Sequence, residues 1–560
     1  MNRKLVEKVK DLLSKEKGTI FKDPGGRISI CLVYPNTYHV GMSNLGFQGI
    51  YGLLNKRDDV VCERAFLPDD SDIEVYRRTN TPVFSIESGR PIDRFDIVAF
   101  SVSFENDYPN ILKILDLAKI PPIPSKRNEY HPLLIAGGVC LSFNPEPIAP
   151  AFDVVFVGEA EESLNEFLDM YRDRLKIPLN PPLLKGDVRG ITFKNEIKRE
   201  AVYLEGVYVP EFYSIRYDAD GKIIERVAEN NAPDVIKRRY LKDLSASPIT
   251  TAIVTPESEF SGMYLIEAMR GCPWNCRFCL VGHIYDPPRR KSLESIRAEI
   301  ASAKKVASRI GVVGPSLTDY PHIKDILCID DVAFSITSLR ASEKSAELVG
   351  LLKGHKSVSI APEAGTERMR KIINKRITGK DILDTAKLIL DAGIENLRLY
   401  FMIGLPAETS EDIAGIVELV KKVRSLAVRS SIILSISAFV PKPFTPFQWH
   451  SMEPLDSLKE KLHFIKKALR NLKGVKVFHD VPKYARMQGM FSVGDRRIFS
   501  VLELMADTDD WGKACSAAGV DRDFYIFRNK DFGELLPWDF IDTGISKQKL
   551  WDEYTGALSL

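Results

Sequence analysis

Short, nearly unbroken apolar runs alternate with helically spaced segments along residues 28–170. Ile28-Ser29-Ile30-Cys31-Leu32-Val33-Tyr34 is a buried-strand run closed by Pro35-Asn36. A helix over about 43–55 follows, with Leu45, Ile50, Leu53 and Leu54 on one stripe. Val60-Val61-Cys62 reads as a second strand and residues 95–103 (FDIVAFSVS) as a third. A helix from Tyr108 then carries Ile111, Leu112, Ile114 and Leu115. Residues 132–138 (PLLIAGG) and 153–157 (DVVFV) complete the series, the last turning at Gly158-Glu159 into another helix. Strands that are apolar throughout, separated by helices, predict a doubly wound, Rossmann-like parallel sheet. Such sheets take ligands at the carboxyl ends of their strands. Ser101, Ser103, Gly137 and Gly138 stand at those ends. A glycine pair there lets a ligand approach the backbone closely, or it serves only a tight strand-to-helix turn.

Residues 176–260 differ in character. Prolines cluster at Pro178, Pro181 and Pro182, and turns such as Asp218-Ala219-Asp220-Gly221 separate short strand-like pieces, which predicts a connector with small hairpins. Lys237-Arg238-Arg239 reads as a solvated face. The alternation resumes with strand candidates at 263–269, 310–313, 332–336, 358–360, 397–403 and 432–440. Helices lie between them: one from Ser292, one opened by Thr378 with Asp381 three residues on, and one opened by Thr409 with Asp412. The last two follow the capping-box pattern, with Asp in place of Glu or Gln. Six βα units predict a partial (β/α)6 barrel of the TIM type, with its active site at the carboxyl ends of the strands. Leu458, Leu462, Ile465, Leu469 and Leu472 then repeat at helical period, a core-packing stripe. The expected division is an N-terminal helix (1–27), the first sheet (28–175), the connector (176–260), the barrel (261–455) and a small α-rich extension (456–560).

Composition narrows the class. The chain has 560 residues, 44% hydrophobic and 28% charged, as soluble globular proteins do. Its 78 basic and 76 acidic residues leave a net charge of +2, which gives no global field for nucleic acid but leaves room for a local basic patch. No apolar run approaches the ~18 residues a membrane span needs, and Met1 to Lys8 lacks a signal-peptide core. Of eight cysteines, Cys31, Cys62, Cys140, Cys328 and Cys515 are scattered without a disulfide framework, so a reducing cytoplasm is expected.

The other three, Cys272, Cys276 and Cys279, fall within Gly271-Cys272-Pro273-Trp274-Asn275-Cys276-Arg277-Phe278-Cys279. Three thiolates on one short loop can converge on one face of a small metal cluster. A [4Fe–4S] cube normally takes four thiolates, so three leave one iron open to a small ligand. The competing chemistry is structural zinc, with His283 completing a Cys3His set. Zinc sites usually pair CxxC knuckles, whereas this loop has one three-residue and one two-residue gap.

The CxxxCxxC loop placed after the first barrel strand resembles the radical S-adenosylmethionine (SAM) superfamily. The resemblance implies that the open iron is chelated by SAM, which is reductively cleaved to a 5′-deoxyadenosyl radical, with flavodoxin or ferredoxin as electron donor. It also implies positions for SAM. Glu363, in 359–368 (SIAPEAGTER), falls where relatives hold the ribose or amino acid moiety, and Lys375 falls at an often basic position suited to the carboxylate. Gly404, in 399–409 (LYFMIGLPAET), belongs to the stretch whose backbone packs adenine. Ser316, in Gly314-Pro315-Ser316, stands where others carry a glycine-rich GGE, absent here, and Arg340 follows the third strand. Trp274 and Phe278 are expected to shield the iron from water.

The first sheet, through residues 95–103, Ala136-Gly137-Gly138 with Asn144-Pro145-Glu146, and 152–163 (FDVVFVGEAEES), resembles the cobalamin-binding-type domain that precedes many radical SAM cores. The DxHxxG cobalt-ligand signature is absent, since Asn36-Thr37-Tyr38-His39-Val40-Gly41 has the wrong spacing. A domain holding cobalamin without a protein lower ligand and one holding none therefore both stand. The tail segments Val493-Gly494-Asp495-Arg496-Arg497 and 536–544 (LPWDFIDTG) extend the likeness to a family without a settled substrate; Arg496-Arg497 reads as a helix-end ion pair ahead of a grip on an anionic substrate. Three functions follow: a radical SAM enzyme, with cobalamin-dependent methyl transfer as one form; a methylthiotransferase-like RNA-modifying enzyme, which needs a second cluster; or a non-enzymatic metal scaffold.

Overall fold

The computed structural model describes residues 2–176, 189–336, 338–351, 356–427, 429–506, 508 and 510–560. The proline cluster at 178–182 lies outside them. The chain divides into two units. The first comprises Met1–Tyr264, Gly494–Asp521 and Gly533–Thr543, and the second Leu265–Val493, Arg522–Phe532 and Gly544–Leu560.

The first unit is built on one sheet of strands β1 (Ile28–Tyr34), β2 (Val60–Phe66), β3 (Ile97–Ser101), β4 (Leu133–Gly137), β5 (Val154–Phe156) and β6 (Val207–Tyr208). Their order is β2-β1-β3-β4-β5-β6, with β1 to β5 parallel and β6 antiparallel to β5. Every residue of β1 and β2 is buried, which explains the nearly unbroken apolar run of β1; β2 also buries Glu63 and Arg64. Helix Leu45–Lys56 starts where Asn44 accepts the Phe47 N–H, and helix Tyr108–Leu117 packs the stripe expected of it. A 2-1-3-4-5 order changes direction between β1 and β3, and the ligand crevice of such a sheet lies there, beyond the carboxyl ends.

The connector contains an antiparallel hairpin, Tyr213–Tyr217 with Ile223–Ala228. Lys237-Arg238-Arg239 is not a solvated face. Arg238 is buried, and Arg239 pairs with Glu162 and Glu166 because its backbone runs alongside Gly158. Two pieces of the tail belong to this unit. Ile541–Asp542 pairs in parallel with Ile236–Lys237, and the Asn144 amide donates to Gly494 O at 2.8 Å.

The second unit holds the barrel strands. Tyr264–Glu267, Arg309–Val313 and Ala333–Ser335 are neighbours in one sheet. Ser338–Leu339, Ser357–Glu363, Asn396–Ile403, Ser431–Ala438 and Val475–His479 form the other, all parallel. Both capping boxes form, Thr378 with Asp381 and Thr409 with Asp412. Leu397, Leu399, Ile432 and Leu434 are buried beneath the helices, each contributing on the order of 2 kcal/mol. The sheet continues past residue 455: helix Leu455–Leu469 leads into Val475–His479, a barrel strand that the sequence reading left in the tail. The strand has five residues and Lys476 interrupts it, so no apolar run announces it.

Candidate functional site

The cysteine loop leaves the first barrel strand through Met269–Arg270, which pairs antiparallel with Arg289–Arg290 and closes the loop at its base. Gly271 turns the chain at φ +83°, and a Cβ there would lie 2.4 Å from Tyr285 O, so only glycine fits. Cys276 is buried and Cys272 and Cys279 are half-buried; each thiol lies within electrostatic reach of the other two. Burial pushes all three up, Cys276 to about 12; Arg340 and Lys375 oppose the rise at Cys272, Lys375 at Cys276, and backbone N–H groups of Val281 and Gly282 at Cys279.

Arg277, between two of the thiols, anchors the loop. Its N–H donates to Ile373 O at 3.0 Å, and its guanidinium donates to Lys371 O, Ile372 O and Glu553. Asn374 adds a hydrogen bond to Asn275 O at 2.9 Å. The loop is thus held against the end of helix Glu367–Ile372 and the C-terminal helix Lys547–Leu558.

His283 is buried with Nε2 3.3 Å from Cys276 O, and burial pulls its pKa down. That nitrogen is engaged by backbone, which weakens a Cys3His zinc set. Among the described residues, no three His, Cys, Asp or Glu converge closely enough for a single ion. A cube sets its iron corners apart, so thiols spread around one do not meet at a point either. Three gathered thiols with two cations beside them fit the thiolate chemistry of a cluster.

Around the loop, Trp274 Nε1 donates to Asp319 Oδ2 at 2.6 Å, and Ser316 Oγ donates to the same oxygen at 2.6 Å. The Arg340 guanidinium lies 3.5 Å from the centre of the Trp274 ring and donates to Arg376 O. Trp274 therefore links Ser316 and Arg340 rather than only screening water. Glu363 ends its strand after a register shift and takes φ +64°, a left-handed conformation costing about 1–3 kcal/mol for a non-glycine residue. Its carboxylate lies 3.1 Å from Lys375 Nζ. Desolvation disfavours the Lys375 ammonium, but Glu363 and the Cys276 thiol outweigh it and hold the pKa above its ordinary value. Gly404 is at φ +76° and donates its N–H to Glu408.

The expected N-terminal positions behave differently. Gly138 has φ +117°, and a Cβ there would lie 2.3 Å from Val102 O, so packing alone requires this glycine. A Cβ on Gly137 would make ordinary contact with Phe156. Ser101 pairs with Gly137 in register, and Ser103 Oγ accepts from Asn44. The switch point is bridged by its own side chains: Asn36 donates to Asp107 at 2.7 Å, and Asn110 donates to Pro35 O. Burial raises the Asp107 carboxyl to about 6. His39 is an exposed residue of a short helix, 3.4 Å from Glu259. Arg496, two residues before helix Ile498–Met505, does form an ion pair, with buried Glu146 at 2.9 Å.

Residues 46–210 match the family described as radical SAM proteins, N-terminal, and residues 266–420 match the radical SAM superfamily. An uncharacterized protein of Methanocaldococcus jannaschii is 31% identical over 518 residues, covering 90% of this chain and 97% of that one. The chain belongs to the radical SAM superfamily. A tRNA-2-methylthio-N(6)-dimethylallyladenosine synthase of Myxococcus xanthus is 21% identical over 51% of this radical SAM chain and 64% of its own. Among solved structures, the cobalamin-dependent S-adenosylmethionine radical enzyme OxsB, with aqua-cobalamin and S-adenosylmethionine bound, aligns with TM-score 0.47 and 15% identity. That alignment covers 79% of this chain and 56% of OxsB. Membership implies a [4Fe–4S] cluster and SAM as cofactors. No helix among the described residues is long and apolar enough to cross a membrane.

Sequence reasoning missed Arg277, Asp319 and Asn374 as supports of the loop. Arg277 alone carried a signal, its position inside the motif. It also missed the polar residues of the barrel strands, whose alternation in Arg398, Tyr400 and Met402 was legible.

Proposed function

We propose that this protein is a radical SAM enzyme in which Cys272, Cys276 and Cys279 hold the [4Fe–4S] cluster. Glu363, Lys375, Ser316, Arg340 and Gly404 hold SAM. The observation that carries the reading is the gathering of three thiols on one anchored loop, with Lys375 and Arg340 beside them. When bound, the cluster and SAM supply a reductive cleavage that yields methionine and a 5′-deoxyadenosyl radical. Lys375, neutralised in part by Glu363, is suited to orient a carboxylate, and Glu363 retains a second oxygen for a hydroxyl or ammonium donor. Arg340 is kept in place by the Trp274 face, and Ser316 by Asp319. The fixed loop keeps the thiol spacing from relaxing as protons leave. The electron enters from flavodoxin or ferredoxin.

Anaerobic reconstitution tests this. Iron and labile sulfide near four each per chain, with 5′-deoxyadenosine released under reduction, are expected. Cys276→Ala should abolish both while the far-ultraviolet dichroism stays. Retained turnover in that variant, or zinc in place of iron, refutes the assignment.

A second reading adds cobalamin and methyl transfer to an unactivated carbon. The 2-1-3-4-5 strand order favours it, since Asn36, Ser101 and Ser103 line the switch point where a corrinoid would be taken. The glycines do not add to it, because Gly138 answers to packing. An absorption spectrum unchanged by hydroxocobalamin would remove this reading and leave SAM cleavage intact. A methylthiotransferase-type reaction finds less support. Of the remaining cysteines, Cys31 and Cys62 are neighbours, but both are buried within the N-terminal sheet.

A further inference from the structure

The strands that close the barrel alternate where a fully packed parallel sheet would not. In Asn396–Ile403 the buried residues are Leu397, Leu399, Phe401 and Ile403, and the other face carries Arg398, Tyr400 and Met402. In Ser431–Ala438 the buried residues are Ile432, Leu434 and Ile436, and the other face carries Ile433, Ser435 and Ser437. Val475 and Val477 line a groove with His463 and Leu469 of the outer helix, which leaves Lys476 and Phe478 on the opposite, inward face. The interior of a closed barrel is filled by layers of bulky apolar side chains. This wall is furnished otherwise.

The register orders it in two rows. Arg398, Ile433 and Lys476 are side by side, and Tyr400, Ser435 and Phe478 are side by side in the next row toward the carboxyl ends. Two strand spacings set Tyr400 and Phe478 about 10 Å apart across Ser435. Both rings are open to solvent, Tyr400 at 41% and Phe478 at 56% of full exposure. Arg398 donates to Ser435 Oγ at 3.0 Å, and neither it nor Lys476 has a carboxylate partner among the described residues. The row of unpaired cations thus lies directly below the row of exposed rings.

We propose that this wall binds the substrate, and that the substrate joins a flat ring to an anionic group, the ring lying between Tyr400 and Phe478 and the anion meeting Arg398 and Lys476. The inference rests on the barrel being the SAM-dependent site, whose Glu363 lies toward the carboxyl ends of the same sheet. Aromatic faces hold rings of any chemistry by stacking, and a charge-assisted hydrogen bond is roughly twice as strong as a neutral one.

The test is calorimetric titration of the full-length, anaerobically reconstituted protein. The probes are adenosine 5′-monophosphate and indole-3-acetate, against adenosine and inorganic phosphate, which each lack one half. At least one ring-bearing anion should bind at least tenfold more tightly than adenosine or phosphate. Lys476→Gln and Phe478→Ala should each weaken that binding about tenfold. Should Arg398→Gln fail to fold, those two exposed positions carry the result. No binding by either ring-bearing anion, equal binding of adenosine, or binding indifferent to both substitutions overturns the proposal. Release of 5′-deoxyadenosine by the unsubstituted protein, measured on the same preparation, separates the two readings. Its absence sinks SAM cleavage, and its presence without ring-anion binding sinks the substrate class alone.

Discussion

The two parallel sheets treat their polar groups in opposite ways. In the N-terminal unit two buried charge clusters are closed on themselves. Glu146 is fully buried, accepts the Tyr208 hydroxyl at 2.6 Å, and pairs with Arg496 at 2.9 Å and Arg226 at 3.3 Å. Arg64, fully buried, lies 2.7 Å from both Glu16 and Glu87. In the barrel, Arg398 and Lys476 are left without acids, and Glu363 holds a strained backbone beside Lys375. Closed networks specify a structure, whereas uncompensated charge and strain are what a ligand can satisfy. The difference separates where the chain is held together from where it is prepared to bind.

The largest effect that would sharpen this contrast is at Glu146. Glu146→Ala leaves two guanidiniums around a vacated buried position and should cost about 3–5 kcal/mol, measured by denaturant unfolding. Burial alone would raise this carboxyl, but Arg496 and Arg226 hold it down at about 2, against 4.5 ordinarily. A depressed carboxyl stabilises the fold above its unfolded value, so this contribution is fully present above about pH 4.5 and is lost as pH falls toward 2. Glu146→Gln should remove that part of the acid transition. An unaltered profile would show that the network is not closed as described.

Next in size is Gly138→Ala, expected to cost about 1–3 kcal/mol because φ is +117° and Val102 O blocks the Cβ. Gly137→Ala, next to it, should cost under about 1 kcal/mol, its Cβ being in ordinary contact with Phe156. A tolerated Gly138→Ala would reopen the ligand explanation for the pair.

Arg277→Ala tests the boundary between the two behaviours, since Arg277 is a structural tie within the site. Losing its bonds to Lys371 O and Ile372 O should cost on the order of 1–2 kcal/mol. Iron should then be lost to a chelator several times faster than from the unsubstituted protein. Unchanged release would mean that Asn374 and the loop backbone suffice.

Legibility followed periodicity. The nearly unbroken apolar runs Ile28–Tyr34 and Val154–Phe156, and the capping boxes at Thr378 and Thr409, are local signals, and the structure has them where they were expected. CxxxCxxC was legible because one loop supplies the whole donor set. Partners far apart in the chain were not. Arg496 and Glu146 are 350 residues apart, and Arg496 read only as half of a helix-end ion pair. Val475–His479 went unread as a strand because it is short and its inward Lys476 breaks the apolar pattern by which a buried parallel strand is recognised. The polarity that hid the strand is also what marks its inward face as more than core.

That face gives the smallest predicted effect and the one most specific to the comparison. Lys476 is exposed, has no acid partner among the described residues and packs no core, so Lys476→Gln should leave unfolding free energy within about 0.5 kcal/mol. A closed charge cannot be removed so cheaply, as Glu146→Ala should show in parallel. Because the same substitution should weaken ring-anion binding about tenfold, binding and stability would part company at one residue. A destabilisation comparable to that of Glu146→Ala would instead mean that Lys476 has a structural partner, and the barrel wall would then be closed in the same manner as the N-terminal sheet.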